Sequence, residues 1–143
     1  MSKYLNALQL KGLVRLGNLM LPRSGAYPSF QELGCIEHID EIAAYIPEVD
    51  LADLKLLLGL LAVMPKTGLK GLIQMMQSPD PWPEAVAATL RQMDTGLRGI
   101  VMSLYYSGRK GAQYQGQTPL ELMGVEIVRV PLTEAIESET ESC

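Results

Sequence analysis

The amino-acid sequence predicts an all-α protein, an irregular five-helix bundle with a short C-terminal strand or extended arm. Apolar residues recur every three or four positions through five separate segments, which is the spacing of helices that bury one face. Prolines such as Pro22, Pro47 and Pro65 divide these segments, and a run of β-branched residues lies near the C-terminus. We therefore expect a single helical domain over residues 1–131, followed by an acidic mobile tail over residues 132–143.

The first two helices are predicted from apolar stripes and boundary residues. The first covers about residues 3–20 and ends at a loop rich in proline and glycine. Ser29 and Glu32 have the spacing of a capping box, in which each side chain binds the backbone N–H of the other residue. The apolar stripe that follows predicts one continuous helix over residues 29–46.

The next three helices differ in how their apolar residues are distributed. A helix over residues 50–64, opened by Asp50, is apolar on every face, so we expect it to be the most buried helix, in the middle of the bundle. A shorter amphipathic helix follows over residues 66–77. The last helix is long, over residues 82–106, and Asp80 is its predicted cap.

The C-terminal third contains one helical turn and one strand-like segment. Thr118 and Glu121 form a second capping box, and Gly124 ends the turn. Residues 125–130, "VEIVRV", are typical of a short strand. A single strand leaves its backbone unpaired, so it pairs within the chain, is covered, or adds to the sheet of a partner.

Charge and composition exclude several classes of protein. The net charge of -4 comes from the tail, since residues 1–131 hold twelve acids and twelve bases, and this neutral body argues against nucleic-acid binding. The two cysteines do not indicate a disulfide scaffold. The N-terminus has neither a signal-peptide pattern nor a twin arginine, and no apolar run would span a bilayer. We expect a cytoplasmic protein, or one co-exported with a partner.

No group of residues in the sequence specifies a reaction or a metal site. Cys35 and His38 have the spacing of a metal-ligand pair, but a structural zinc ion needs four ligands and His38 is the only histidine. Next to it in sequence lie Glu37, Asp40 and Glu41, which are typical of the solvated face of a helix. No serine occupies a nucleophile-elbow sequence, and the glycines near Arg109 lack the order of a phosphate-binding loop. We predict no catalytic and no metal-binding residues.

The segment "SLYYSGRKGAQYQG", residues 103–116, contains the residue types that anchor protein interfaces. The same aromatic rings could instead cap the ends of the core, with their hydroxyls hydrogen-bonded. We predict that a partner is bound by this segment together with the strand-like residues after it. The predicted contacts are Tyr105, Tyr106, Arg109, Lys110, Tyr114, Val125, Ile127, Val128 and Val130.

Two stretches together resemble a known family. They are "LVRLGNLMLPRSGAYPSFQELGCIEHIDEI", residues 13–42, and "LYYSG…TPLELMGVEIVRVP" near the C-terminus. The chain resembles, over residues 13–130, the small helical subunits of flavin-dependent sugar and polyol dehydrogenases, the gluconate 2-dehydrogenase subunit 3 family. This resemblance implies a non-catalytic accessory subunit that stabilises a large flavoprotein of the glucose-methanol-choline type. It implies no cofactor in this chain and FAD in the partner.

Two other functions remain open at this level. One is a small-molecule sensor or carrier, with a pocket lined by Met75, Met76, Trp82 and the tyrosines. The other is an enzyme that uses His38 and the nearby carboxylates.

Overall fold

The structure, a computed structural model, describes residues 2–126, and this part of the chain is all-α. Seven α-helices and one 3-10 helix occur within that range, in addition to an isolated antiparallel bridge between Ser24 and Tyr27. In chain order they are α1 (Ala7–Met20), α2 (Phe30–Leu33), the 3-10 helix (Cys35–His38), α3 (Ile39–Ala43), α4 (Glu48–Val63), α5 (Lys66–Gln77), α6 (Glu84–Tyr105) and α7 (Pro119–Leu122).

The helices pack mainly as two pairs, α1 against α4 and α5 against α6. The first pair is close because Gly12 has no side chain, and a Cβ added there would overlap the Leu58 carbonyl of α4. Leu13 and Leu16 of α1 and Leu58 and Leu61 of α4 are fully buried in the core. Their burial makes the α1–α4 contact a large part of the hydrophobic stabilisation.

The helix predicted over residues 29–46 is broken into three pieces. Its capping box is present, with Ser29 and Glu32 bonded reciprocally, but Gly34 ends α2 with a φ of 69°. That left-handed conformation is natural for glycine and ends helices. The missing side chain also lets Gly111 approach closely, so the break accommodates the segment that follows α6.

Two helix starts differ from the predictions for the same reason. α4 begins after Pro47, so Asp50 lies in its first turn and is not the cap. α6 begins after Pro83, three residues beyond the predicted Asp80 cap. In both cases the proline nearest the helix sets the boundary.

The prediction that the apolar helix over residues 50–64 is the most buried is wrong for one face of α4. Four large apolar side chains there are between 54% and 78% exposed: Val49, Leu56, Leu60 and Val63. The cause is the pairing of the helices, since α1 covers one side of α4 while α5 and α6 pack on each other.

The predicted strand and tail fall largely outside the described residues. Val125 and Glu126 are described and are not in a strand, whereas Ile127, Val128 and Val130 and the predicted tail lie beyond them. Within residues 2–126, no helix combines the length and the apolar character needed to cross a membrane.

Candidate partner-binding surfaces

Tyr105 is a core residue. It is 3% exposed, and its hydroxyl donates a hydrogen bond of 2.6 Å to the Pro28 carbonyl. Burial raises the pKa of Tyr105 to about 12, so the hydroxyl stays protonated as a donor. Its ring packs edge-on against that of Tyr106, with 5.0 Å between centroids. Of the two rings, only Tyr106, which is 38% exposed, is accessible to a partner.

The other predicted anchors of this segment bind within the chain. The Arg109 guanidinium lies 2.7 Å from the Glu41 carboxylate. Lys110 Nζ donates to the Gly116 carbonyl at 3.1 Å, and the Tyr114 hydroxyl donates to the Gln117 carbonyl at 3.1 Å. These internal contacts fix the conformation of the segment.

The histidine His38 and two neighbouring glutamates bind the backbone and side chains of this segment. His38 Nε2 donates to the Lys110 carbonyl at 3.2 Å, and His38 Nδ1 lies 3.5 Å from Glu41 Oε1. The Glu37 carboxylate accepts from the backbone N–H of Ala112 at 3.1 Å. The sequence left an enzyme using His38 and the nearby carboxylates open as an alternative. In the structure these side chains, from the 3-10 helix and α3, bind the segment after α6, and we call this set of contacts the clamp.

The free cysteine beside this clamp, Cys35, has a thiol of low reactivity. Cys35 is fully buried, and burial raises the pKa of its thiol to about 12, so it carries almost no thiolate at neutral pH. In the part of the chain that the structure describes, no three His, Cys, Asp or Glu side chains are grouped to hold a metal ion.

Beyond the clamped segment, α7 ends in exposed apolar side chains. The capping box is formed, since Thr118 N–H donates to the Glu121 carboxylate at 2.6 Å. That hydrogen bond lowers the pKa of Glu121. After the helix, Met123 is 47% and Val125 50% exposed. We call Tyr106, Met123 and Val125 the C-terminal surface.

A concave region of about 510 Å³ adjoins the C-terminal surface at Val125. Its lining runs from Ser107 and Gly108, at the end of α6, to Leu120 of α7 and on to Val125. The predicted contacts Ile127, Val128 and Val130 follow directly in the chain and lie outside the described residues.

A second apolar region lies on α4 and was not predicted. At 3.6 residues per turn, Val49, Leu56, Leu60 and Val63 fall within an arc of about 60° on the side of the helix away from α1. We call these four residues the α4 ridge. The sequence did contain a signal for this exposed face. α4 is apolar on every face, and a chain of this length has too few helices to surround such a helix.

Beside the α4 ridge, a groove of about 760 Å³ separates α4 from α6. Of the side chains lining it, all within the described residues, only Asp50 and Asp53 are charged. The apolar lining includes Leu54, Leu57 and Leu60 of α4 and Met93, Leu97 and Ile100 of α6.

Met76 and Trp82, which the sequence suggested as the lining of a ligand pocket, do not line that groove. Met76 is buried in the core, whereas Trp82 is 43% exposed. Neither lines the groove or the concave region at the C-terminal surface.

The chain shows no significant match to any protein-family model, curated protein or solved structure in the three comparisons.

Proposed function

We propose that this chain is a non-catalytic accessory subunit that binds and stabilises a large flavin-dependent dehydrogenase of the glucose-methanol-choline type. The identity of the partner rests on the resemblance of residues 13–130 to small dehydrogenase subunits. FAD belongs to the partner in this proposal, and the present chain binds no cofactor.

The observation that carries the proposal is the C-terminal surface. Tyr106, Met123 and Val125 are large apolar side chains left exposed near the end of the described chain; Val125 lines the concave region, and the other two directly precede lining residues in sequence. Aromatic residues and methionine are enriched in protein interfaces, where they fill concave regions of a partner. The β-branched residues Ile127, Val128 and Val130 follow this surface in sequence and are of a type that suits pairing with a partner's strand.

The clamp on the segment after α6 supports the same function. Side chains of His38, Glu37 and Glu41 hold the segment after α6 in one conformation before any partner arrives. A surface that is already ordered loses less conformational entropy on binding, which strengthens association.

Purification of the tagged chain from its native host tests the proposal. We expect a large protein to co-purify, with the absorbance spectrum of bound flavin and a mass spectrum that identifies a dinucleotide-binding flavoprotein. The double variant Tyr106→Ala and Met123→Ala should release it, because that change removes the two largest side chains of the C-terminal surface.

A matched control is Val86→Ala, which alters an exposed apolar residue of α6 far along the chain from this surface. It should leave the flavoprotein bound. A chain that purifies without any flavin-containing protein contradicts the proposed partner. Equal retention by the double variant contradicts the proposed surface.

A further inference from the structure

We propose that the α4 ridge and the adjoining groove pair with a second copy of the chain, giving a two-fold symmetric dimer in which the two α4 helices run antiparallel. The contact is separate from the C-terminal surface and goes beyond the proposed function. It predicts that the accessory subunit presents two partner-binding surfaces per assembly.

The spacing of the α4 ridge is self-complementary. Val49 and Val63 lie seven residues on either side of Leu56. An axis through Leu56 therefore places Val49 of one copy opposite Val63 of the other, and the two Leu56 side chains against each other. The same register sets the bulky Leu60 opposite the small Ala52, so large side chains meet open space.

The charges at the ends of the ridge select the antiparallel direction. Asp50 and Asp53 lie near the start of α4, and Lys66 lies just beyond its end. Among the described residues none of these three forms an ion pair. With Leu56 on the axis, the start of α4 in one copy, which carries Asp50, lies opposite the end of α4 in the other copy, which Lys66 follows after Met64 and Pro65. Parallel packing would instead place like charges together.

One symmetric contact covers both apolar features. In an isologous interface the same patch serves on both copies, and Leu56 and Leu60 of the ridge also line the groove, so packing of the two ridges about Leu56 covers the α4 side of each groove. The ridge spans about 21 Å from Val49 to Val63 at 1.5 Å per residue, which is the length of the contact between the two α4 helices.

The chain's own C-terminal residues are a poorer occupant of the groove. Residues 132–143 contain four glutamates and no lysine or arginine. The charged residues lining the groove, Asp50 and Asp53, are also acidic, so the two would repel each other.

Sedimentation velocity on the whole chain over a wide range of concentrations tests the dimer. The wild type should shift from one chain to two as concentration rises. Leu56→Lys, which opposes two charges on the axis, should raise the dissociation constant by at least about tenfold. Val86→Lys, a charge placed on exposed α6 outside the groove lining, should leave the dissociation constant unchanged. Circular dichroism verifies that both variants stay helical.

Cysteine cross-linking tests the register in a Cys143→Ser background, where Cys35 remains buried. Leu56→Cys should form a disulfide-linked dimer on oxidation. Val49→Cys and Val63→Cys should cross-link when mixed, and neither should do so alone. Asp50→Lys and Lys66→Glu should each weaken the dimer, and together should restore it.

A wild type that stays monomeric at every concentration overturns the proposal, as does a dimer that Leu56→Lys leaves intact. Cross-linking of Val49→Cys with itself overturns the antiparallel register. Leu56→Lys should still retain the flavoprotein, so loss of the dimer and loss of the partner are separable results.

Discussion

The α4 ridge and the segment after α6 differ in whether their side chains have partners within the chain. On the α4 ridge, four apolar residues face outward with nothing in the described chain over them. In the segment after α6, Arg109, Lys110 and Tyr114 each have an internal partner. One region carries apolar surface that is not yet covered, whereas the other carries polar groups that are already satisfied.

The difference follows from the physics of the two kinds of group. A polar group held near the protein surface needs a partner at a fixed distance and angle, and nearby carbonyls and carboxylates supply it. Apolar surface has no directional requirement, and a second molecule covers it as well as the same chain does. Exposed apolar area therefore identifies an interface better than an abundance of interface-type residues.

The largest effect should come from comparing the two faces of α4. Leu58→Ala removes a fully buried side chain against α1 and should lower the free energy of unfolding by about 2–5 kcal/mol. Leu56→Ala is the same change on the exposed face and should cost far less in dilute protein. Urea denaturation followed by circular dichroism measures both.

The Leu56 variant also sharpens the dimer proposal. Its effect on stability should grow with protein concentration, because the side chain is covered only when two copies meet. Equal losses for Leu56→Ala and Leu58→Ala would show that the outer face of α4 is packed, contrary to the structure.

The second effect compares two glycines with left-handed backbones. Gly34→Ala places a Cβ 2.9 Å from the Gly111 Cα at φ 69°, and should cost about 2–3 kcal/mol. Gly124→Ala has φ 72° but open space around it, so it should cost about 1–2 kcal/mol from the backbone alone. The difference, measured by thermal or urea unfolding, reports how tightly the segment after α6 is clamped. Identical losses for the two variants would contradict the clamp.

The sequence was sufficient for the all-α class and for the helices whose boundaries carry strong local signals. The capping boxes at Ser29 and Thr118 are formed as predicted, and α5 covers residues 66–77 as predicted. These features depend on contacts within three or four residues, which a pattern in sequence records directly.

Features that depend on distant contacts could not be predicted in this way. The break at Gly34 accommodates Gly111, and Tyr105 bonds Pro28, each across more than seventy residues. The exposure of α4 depends on which helices pair, and helical periodicity does not specify pairing. Tyr105 could not be distinguished from Tyr106 by its sequence neighbours, although one ring is buried and the other is accessible.

Those two tyrosines provide the third test. Tyr105→Phe removes the buried hydroxyl and leaves the Pro28 carbonyl without its donor, which should cost about 1 kcal/mol. Tyr106→Phe should change the free energy of unfolding little, because that ring is partly exposed. The difference between the urea midpoints, multiplied by the common slope, gives the change in the free energy of unfolding for each variant. A larger loss for Tyr106→Phe would reverse the assignment of core and surface roles.

The smallest effect is a loss of stability in acid, arising from three carboxyl groups, those of Glu32, Asp40 and Glu121. Backbone hydrogen bonds, from Ser29 to Glu32 and from Thr118 to Glu121, lower the pKa of each glutamate, and the Ser2 hydroxyl lowers that of Asp40. Folding therefore favours the ionised forms. Their contribution is complete above the ordinary values of 4.5 for glutamate and 3.8 for aspartate, and is lost as the pH falls through the lower folded values.

We expect the free energy of unfolding to fall between about pH 5 and pH 2, with a shallower fall in Glu121→Gln, which has no charge to lose at the α7 cap. Urea titrations at successive pH values measure both slopes. Since the α7 cap lies just before Met123 and Val125 of the C-terminal surface, acid should also weaken binding of the proposed flavoprotein partner in the wild type more than in this variant. The proposed α4 dimer provides the internal comparison, because Glu121 is remote in sequence from the ridge and the substitution should leave the dissociation constant of that dimer at neutral pH unchanged. Parallel pH profiles for wild type and variant would mean that the cap contributes no pH-dependent stability.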